Sequence, residues 1–312
     1  ASRDDIGYAL LLGRRRLLDV VGNAHPYVED VVDLPKGVVR TTMGVYLLAD
    51  DDGLSRVVGE YGRLTLDENW AEITTFARFI PAGGVVIDAG AAYGDHTEVF
   101  SQLVGADGHV YAFEPHPRAC AALCRNTARL NNVTVREYAL GYVPSGVANF
   151  AMSTSQGSSA VFPNKSKGYE TFFADGSTRP LTFTSVALTS LDHCLLPQLT
   201  RCDLLHFDME GSEPQALVGA QEVIRRFRPV IVVEVGQTHL KRWGMTPERV
   251  LDLLATMGYT TTDLNDIVSA GGEGFGRVWN VLAVPTPGVV FAAKIVPTLD
   301  GHPGDMYQTT LS

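Results

Sequence analysis

The chain has 312 residues, 45% of them hydrophobic and 19% charged, an ordinary globular composition that allows one large domain or two. Its 25 basic and 35 acidic residues give a formal net charge of -10, which argues against nucleic acid or an anionic membrane as the main partner. No apolar run approaches the roughly 20 residues that span a bilayer. The composition therefore predicts a soluble, cytoplasmic protein.

The first 80 residues are predicted to form a cap that contains both helix and strand. Apolar residues recur at helical spacing over residues 4–22, and short β-branched stretches between Gly37 and Leu66 predict a small β-meander. A second helix is predicted from Glu68 to Ile80, before a Pro-Ala-Gly-Gly breaker. We expect this cap to lie on the acceptor side of the molecule. Its helix and meander could also pack on a second copy of the chain, which would give a homo-oligomer.

Residues 81–285 have the rhythm of an α/β domain with a parallel sheet. The runs GVVID, HVYAF, LLHF and VIVV are nearly continuous in apolar residues, as expected of strands covered on both faces. An acidic residue stands where each strand should end, namely Asp88, Glu114, Asp208 and Glu234. The segment 286–312 is predicted to be an irregular tail.

The segment VVIDAGAAYGDHT contains the most informative turn. Gly90 and Gly94 would let a backbone approach a ligand at a helix N-terminus, although a tight strand-to-helix turn needs glycine in any case. The spacing is not the G-x-G-x-x-G of a dinucleotide pyrophosphate site. Asp88 would repel a pyrophosphate and would suit an ammonium group, such as that of S-adenosylmethionine.

Glu114 follows Asp88 by 26 positions and ends the next predicted strand. Pro115 biases it toward an extended conformation. A carboxylate at this place can accept hydrogen bonds from both hydroxyls of a ribose, so the pattern predicts an adenosine-containing ligand.

The sequence resembles the FkbM family of S-adenosylmethionine-dependent methyltransferases between Trp70 and Pro285. The resemblance rests on VVIDAGAAYGDHT, YAFEPHP, LNN followed by YALG, PVIVVEV and NVLAVP, and most specifically on DLLHFDMEGSE. It implies the Rossmann-like sheet of class I methyltransferases, seven-stranded and mostly parallel, with helices on both faces. It also implies S-adenosylmethionine as cofactor.

The resemblance implies a cofactor site, residue by residue. Around the methionine portion it places Asp88, Gly90, Ala91, Tyr93, Gly94, His96 and Thr97, with Glu72 and Asp208 nearby. Glu114 and Pro115 are implied at the ribose, and the backbone of Tyr138 and Ala139 at the adenine. His96 can equally be a polar helix residue that closes the pocket without chemistry. The family commonly has a lysine where this chain has His206, which puts any role of that lysine in doubt.

Methylation of a hydroxyl requires that its proton be removed. Asp208 and Glu234 end neighbouring predicted strands and should converge near the transferred methyl. Either Asp208 acts as a base assisted by Glu210 or His239, or Asp208 and Glu234 hold a divalent metal such as Mg²⁺. A structural alternative is that Glu210 and Glu213 only begin the next helix.

The predicted function is O-methylation of a hydroxyl on a sugar or a natural-product small molecule. Ser158 and Ser159 resemble a family segment that approaches the acceptor, and the segment from Pro144 to Thr189 should complete the acceptor pocket with the first 80 residues. A nicotinamide-dependent oxidoreductase is the enzymatic rival, and the missing third glycine argues against it. A non-catalytic binding protein is the other rival, and carboxylates kept at buried strand ends argue against it.

Overall fold

The computed structural model describes residues 38–40, 46–48, 75–152, 159–162, 170–172, 178–180, 182–264, 278–291, 293–297 and 307–311. The helix predicted over 4–22, and the candidate site residues Glu72 and Ser158, lie outside the described residues. Within the predicted meander, Val38–Arg40 pairs antiparallel with Tyr46–Leu48. Residues 75–79 are helical, inside the helix that the sequence predicts up to Ile80.

A seven-stranded sheet forms the centre of the described chain. Its strands in chain order are β1 (Val85–Ala89), β2 (His109–Phe113), β3 (Val133–Arg136), β4 (Leu204–Phe207), β5 (Val230–Gly236), β6 (Tyr259–Asp263) and β7 (Val278–Pro285). The spatial order is β6-β7-β5-β4-β1-β2-β3. The pairs from β3 to β5 are parallel, and β7 is antiparallel to both β5 and β6. The predicted mostly parallel Rossmann-like sheet is confirmed.

The register of the parallel strands brings their carboxyl ends to one edge. Ala89 pairs with both Phe113 of β2 and Phe207 of β4, and Phe207 pairs with Val233 of β5. The order of the strands reverses between β1 and β4, and ligands of open α/β sheets bind at the carboxyl ends beside such a reversal. Glu114 and Asp208 directly follow β2 and β4, so they meet at this edge. Asp88 and Glu234 were predicted at strand ends but lie one and two residues before the ends of β1 and β5, because both strands continue further than their apolar runs.

Seven α-helices begin and end within the described residues. They are α1 (Asp95–Val104), α2 (Pro117–Thr127), α3 (Leu191–Cys194), α4 (Glu213–Gly219), α5 (Gln221–Phe227), α6 (Gln237–Leu240) and α7 (Pro247–Thr256). Alternating strand residues explain the two layers, because Ile87 packs in one buried cluster with α4 and α5, whereas Val86 packs in another with α1 and residues 75–79. The sheet is thus buried on both faces, as its apolar runs predict.

A second sheet is inserted between β3 and β4. Its four strands, in spatial order, are Ala139–Leu140, Thr182–Thr189, Ser145–Met152 and Ala160–Phe162. Ala139–Leu140 is parallel to Thr182–Thr189, and the other pairs are antiparallel. A separate antiparallel pair joins Glu170–Phe172 to Thr178–Pro180. The insertion therefore begins one residue after Tyr138, at the same edge as the carboxyl ends of the parallel strands.

The segment predicted to be an irregular tail contains regular structure. Ala293–Pro297 pairs antiparallel with Tyr307–Leu311. The side chain of Ile295 is buried in the same cluster as α4 and α5, and the amide of Gln221 hydrogen-bonds both backbone groups of Ile295. The prediction of irregular structure was wrong here, because these long-range contacts leave little trace in the sequence. No helix in the described part of the chain is long and apolar enough to cross a membrane.

Gly219, at the end of α4, lies where the helix crosses the inserted sheet. A Cβ atom at this position would lie 1.8 Å from the carbonyl oxygen of Gly141. We therefore expect Gly219→Ala to destabilise the protein by about 1–3 kcal/mol, the usual cost of overpacking, in chemical denaturation. Gly146→Ala is the matched control, since a Cβ there would meet its nearest atom at 3.6 Å. Equal stability of the two variants would contradict the close crossing.

Candidate active site

The turn after β1 packs against the end of β4. Gly90 has φ +85°, and a Cβ atom there would lie 1.7 Å from the carbonyl oxygen of Asp208. Gly94 has φ +93°, and a Cβ there would lie 2.6 Å from Leu123 of α2. The N–H groups of Gly90 and Ala91 donate to the Phe113 carbonyl at 2.9 and 3.0 Å. The protein's own packing therefore requires both glycines, and it holds Asp208 beside the turn.

Asp88 is fully buried beneath the turn and is already hydrogen-bonded. Thr97 Oγ1 donates to its Oδ2 at 2.5 Å, and His206 Nδ1 lies 2.9 Å from its Oδ1. Burial by itself would raise the pKa of Asp88, but the hydrogen bond and the charge of His206 outweigh it, so the pKa lies below its ordinary value. Both oxygens that the sequence assigns to a cofactor ammonium thus have partners inside the protein.

His206 and His96 lie in an aromatic layer under the same turn. The two imidazole rings have their centroids 4.8 Å apart, and Phe76 and Phe100 contact both rings. His206 is only 2% exposed. In this chain His206 therefore lies next to the buried aspartate and gives Asp88 a hydrogen-bond partner.

Glu114 ends β2 and organises the turn from the other side. Its Oε2 accepts the N–H of Ala92 at 2.9 Å, and its Oε1 accepts the N–H of His116 at 2.7 Å. Burial raises the pKa of Glu114 to about 7 in spite of these two hydrogen bonds. A carboxylate has about four acceptor positions, so two remain for hydroxyl groups of a ligand.

A cavity opens along this edge between the central and the inserted sheet. Seven of the residues predicted to bind the cofactor or the acceptor are part of its lining, together with Glu210: Gly90, Glu114, Pro115, Tyr138, Ala139, Asp208 and Ser159. The remaining lining was not anticipated from the sequence and consists of Ala92, Phe113, Leu140, Phe150, Val161, Met209 and Ser212. The cavity thus combines apolar surface and hydroxyl groups with the carboxylates of Glu114, Asp208 and Glu210.

Several predicted cofactor residues lie behind the cavity wall instead of in it. Tyr93 is 1% exposed, and its carbonyl accepts the Asn126 amide at 2.7 Å. Ala91 is buried against Leu123, and Gly94, His96, Thr97 and Asp88 support the turn from below. Ala92 was missed because its left-handed backbone, φ 45°, turns it toward Glu114, and nothing in the local sequence signals that conformation.

The loop between β4 and α4, called the acid loop below, carries a group of acidic side chains. Glu213, the first residue of α4, is 1% exposed, and its Oε1 accepts the N–H groups of Met209 and Gly211 at 2.8 and 3.1 Å. This is the structural role that the sequence leaves open for Glu213. Glu210 has left-handed backbone, φ 57°, in the same loop. Glu213 therefore shapes the loop that presents Asp208 and Glu210.

His239, in α6, lies between two of the carboxylates. Its Nε2 is 3.2 Å from Glu210 Oε2, and its Nδ1 is 3.5 Å from Glu234 Oε2. Gly211 and Gly236 allow this approach, since a Cβ at either position would lie 2.7 Å from atoms of His239. One prediction was that Glu210 or His239 assists Asp208 as a base. These residues lie close together, and His239 contacts Glu210.

Burial and mutual repulsion perturb the pKa values of these acids. Burial and the charge of Glu234 raise the pKa of Asp208 to about 7 and that of Glu213 to about 8. The same two causes raise the pKa of Glu210 well above its ordinary value. Burial, with the charge of Arg242, lowers the pKa of His239. With a pKa of about 7, Asp208 can exchange protons near neutrality, which is typical of a reaction centre.

A metal site on Asp208 and Glu234 was the second prediction for these acids. The side chains whose ligand atoms converge, all within 4.8 Å of one another, are instead Glu210, Glu234 and His239 in the described part of the chain. The converging set therefore retains Glu234 but replaces Asp208, because Glu210 and His239 approach each other across the loop.

Fold and site together define a protein of the Rossmann-like class I methyltransferase type. Residues 88–261, more than half of the chain, match the family described as the methyltransferase FkbM domain. The chain belongs to this family. No curated protein sequence matches it.

Solved structures share the general fold at low similarity. One is the methyltransferase FkbM from Methylobacillus flagellatus KT, with 13% identity, a TM-score of 0.40, and coverage of 69% of this chain and 52% of that one. Fibrillarin from Aeropyrum pernix, with natively bound S-adenosyl-L-methionine, has 11% identity, a TM-score of 0.40, and coverage of 85% and 86%. Precorrin-6y C5,15-methyltransferase from Geobacter metallireducens GS-15 has 13% identity, a TM-score of 0.39, and coverage of 69% and 89%. Likeness at this level carries no argument about the acceptor.

The buried pair of Asp88 and His206 can be tested by removing one partner. We expect His206→Leu to lower the free energy of unfolding by about 3–5 kcal/mol, because it leaves Asp88 as a buried charge without its main partner. Removing both in Asp88→Leu/His206→Leu should recover part of this loss. His193→Leu, at an exposed position, is the control in denaturant unfolding. If the losses in the free energy of unfolding of the two single variants add up in the double variant, the two side chains do not stabilise each other.

Proposed function

We propose that the protein binds S-adenosylmethionine and transfers its methyl group to a hydroxyl oxygen of a small molecule or a sugar. Membership of the methyltransferase FkbM domain family supports the reaction class. The observation that carries the proposal is the cavity whose lining brings Glu114 and Tyr138 together with Asp208 and Glu210. Glu114 and its neighbours suit a nucleoside, and Asp208 and Glu210 offer carboxylates for the proton of an acceptor.

Glu114 and the residues beside it in the cavity fit an adenosine. Glu114 would receive the ribose hydroxyls on its remaining acceptor positions, as charge-assisted hydrogen bonds. Phe113, Ala139 and Leu140 provide apolar surface for an adenine, and Tyr138, 39% exposed, borders them. The turn at Gly90 would hold the methionine portion through backbone, since the carboxylate of Asp88 lies beneath it.

Asp208 is the proposed acceptor of the hydroxyl proton. Bound S-adenosylmethionine supplies an electrophilic methyl group and leaves as S-adenosylhomocysteine. The acceptor oxygen forms its bond to the methyl carbon as the methyl–sulfur bond breaks, and the hydroxyl proton must pass to the protein. Asp208 lines the cavity and titrates near neutrality, so it would take this proton, while Glu210 stands beside it.

The inserted sheet supports a small acceptor. Phe150 and Val161 from this sheet, and Ser159 just before its last strand, line the cavity together with Met209 and Ser212 of the acid loop. This is a mixture of apolar surface and hydroxyl groups, which is the usual composition of small-molecule sites. The acidic chain, and the acids at the cavity itself, argue against nucleic acid as the acceptor.

Cofactor binding can be tested without knowing the acceptor. We expect S-adenosylhomocysteine to bind at micromolar concentration in calorimetry, and NAD to show no comparable affinity. Glu114→Gln should weaken S-adenosylhomocysteine binding by about 1–3 kcal/mol, because charge-assisted hydrogen bonds to the ribose are lost. Tight NAD binding without S-adenosylhomocysteine binding would refute the proposal. Glu137→Gln, at a nearby exposed position, is the control.

The pH dependence of this binding follows from Glu114. Its pKa in the folded protein is about 7, so it becomes protonated as the pH falls from about 8 to about 6 and loses its negative charge. Affinity for S-adenosylhomocysteine should fall over this range. Asp208 also titrates about there, so the measurement is the difference between wild type and Glu114→Gln, which should shrink as the pH falls. A difference independent of pH would contradict the ribose role.

The proton acceptor is tested by Asp208→Asn. We expect S-adenosylhomocysteine binding to be retained within a few-fold, while turnover with an accepted hydroxyl compound falls at least about a hundredfold, the lower range for a positioned base. Turnover is followed as S-adenosylhomocysteine formed. Asp252→Asn, on an exposed face of α7, should behave as wild type. Near-normal turnover of Asp208→Asn would exclude it as the base.

A further inference from the structure

Glu210, Glu234 and His239 form a group that the proposed proton transfer to Asp208 does not use. They come from three different elements: the acid loop, β5, and α6. Each is mostly buried, with side chains 17%, 13% and 22% exposed. One ligand atom from each lies within 4.8 Å of those of the other two. Three side chains from three elements thus converge on one point next to the cavity, which Glu210 lines.

The surroundings of this group are strongly acidic. Asp208 and Glu213 act electrostatically on its members, so four carboxylates surround one imidazole, and Arg242 acts against them. Like charges this close together repel one another strongly when they are shielded from bulk water. A doubly charged cation at the centre would remove most of this repulsion. The arrangement is therefore better suited to a divalent cation than to His239 alone.

Two buried polar atoms, one in this group and one in the neighbouring Glu213, make no hydrogen bond to the described residues. The Oε2 atom of Glu213, in a residue only 1% exposed, makes no hydrogen bond to any described residue. The Nδ1 atom of His239 is likewise buried without a hydrogen bond among the described residues, and its nearest acid, Glu234 Oε2, is 3.5 Å away. Buried polar atoms are nearly always satisfied, so each such atom calls for an explanation by water, an ion or a ligand.

We propose that Glu210, Glu234 and His239 bind one divalent cation of the Mn²⁺ or Mg²⁺ class. Two carboxylates and one imidazole suit these octahedral cations, with Mn²⁺ favoured by the nitrogen ligand. Three protein ligands leave three of about six positions for water or for the oxygens of an acceptor. A hydroxyl group of an acceptor on the cation would become more acidic. This last role, but not cation binding itself, rests on the proposed function.

The test is Mn²⁺ binding to the full-length protein after EDTA treatment and desalting, followed by the electron paramagnetic resonance signal of free Mn²⁺. We expect one site per chain in wild type, and at least tenfold weaker binding in Glu234→Gln, Glu210→Gln and His239→Gln. Glu248→Gln and His193→Gln, which alter exposed residues, are the matched controls and should bind as wild type. Circular dichroism of each variant confirms that it is folded.

Two further measurements separate the cation from the methyltransferase proposal. Bound Mn²⁺ should raise the relaxation rate of water protons several-fold, because open positions exchange water; no enhancement would overturn the open positions. The absence of Mn²⁺ binding in wild type, or equal binding in all three variants, would overturn the site. S-adenosylhomocysteine binding measured on the same EDTA-treated sample reports on the proposed function independently, so either proposal can fail alone.

Discussion

The contact between the turn after β1 and the end of β4 is the constraint on which the site depends. The N–H of Asp208 donates to the Ala89 carbonyl at 3.0 Å, which continues the parallel ladder by one residue beyond β4. Gly90 then passes so close to the Asp208 carbonyl that no side chain fits between them. One hydrogen bond and one absent Cβ thus join the glycine turn to the acid loop, although the two segments are far apart along the sequence.

The acidic side chains at this edge fall into two groups according to their contacts. Asp88, Glu114 and Glu213 each accept two hydrogen bonds from within the chain, and these bonds hold the turn, the end of β2 and the acid loop in shape. Glu210 and Glu234 both approach the imidazole of His239. The first group gives the edge its architecture, and the second forms the converging set with His239. An acidic motif that looks like one unit in the sequence therefore serves two purposes.

Part of the site follows directly from the sequence. Apolar runs of four or five residues predict buried parallel strands, and parallel strands bring their carboxyl ends to one edge, so the sequence alone places Glu114 and Asp208 near each other. Asp88 shows where this reasoning stops. Its position at the strand end was predicted, but the strand alternation directs its side chain under the turn, toward His206, because Asp88 and His206 pair in register across β1 and β4.

The sequence by itself determined the sheet, the glycine turn, the acidic strand ends and the family, because each depends on residues close together along the chain. Only the tertiary structure decided which acids face the cavity, that His239 lies between Glu210 and Glu234, and that the inserted strands contribute Phe150 and Val161 to the cavity. Those facts depend on strand register, on left-handed backbone at Ala92 and Glu210, and on contacts between distant segments. Local spacing carries no information about them, because they arise only when separate elements pack.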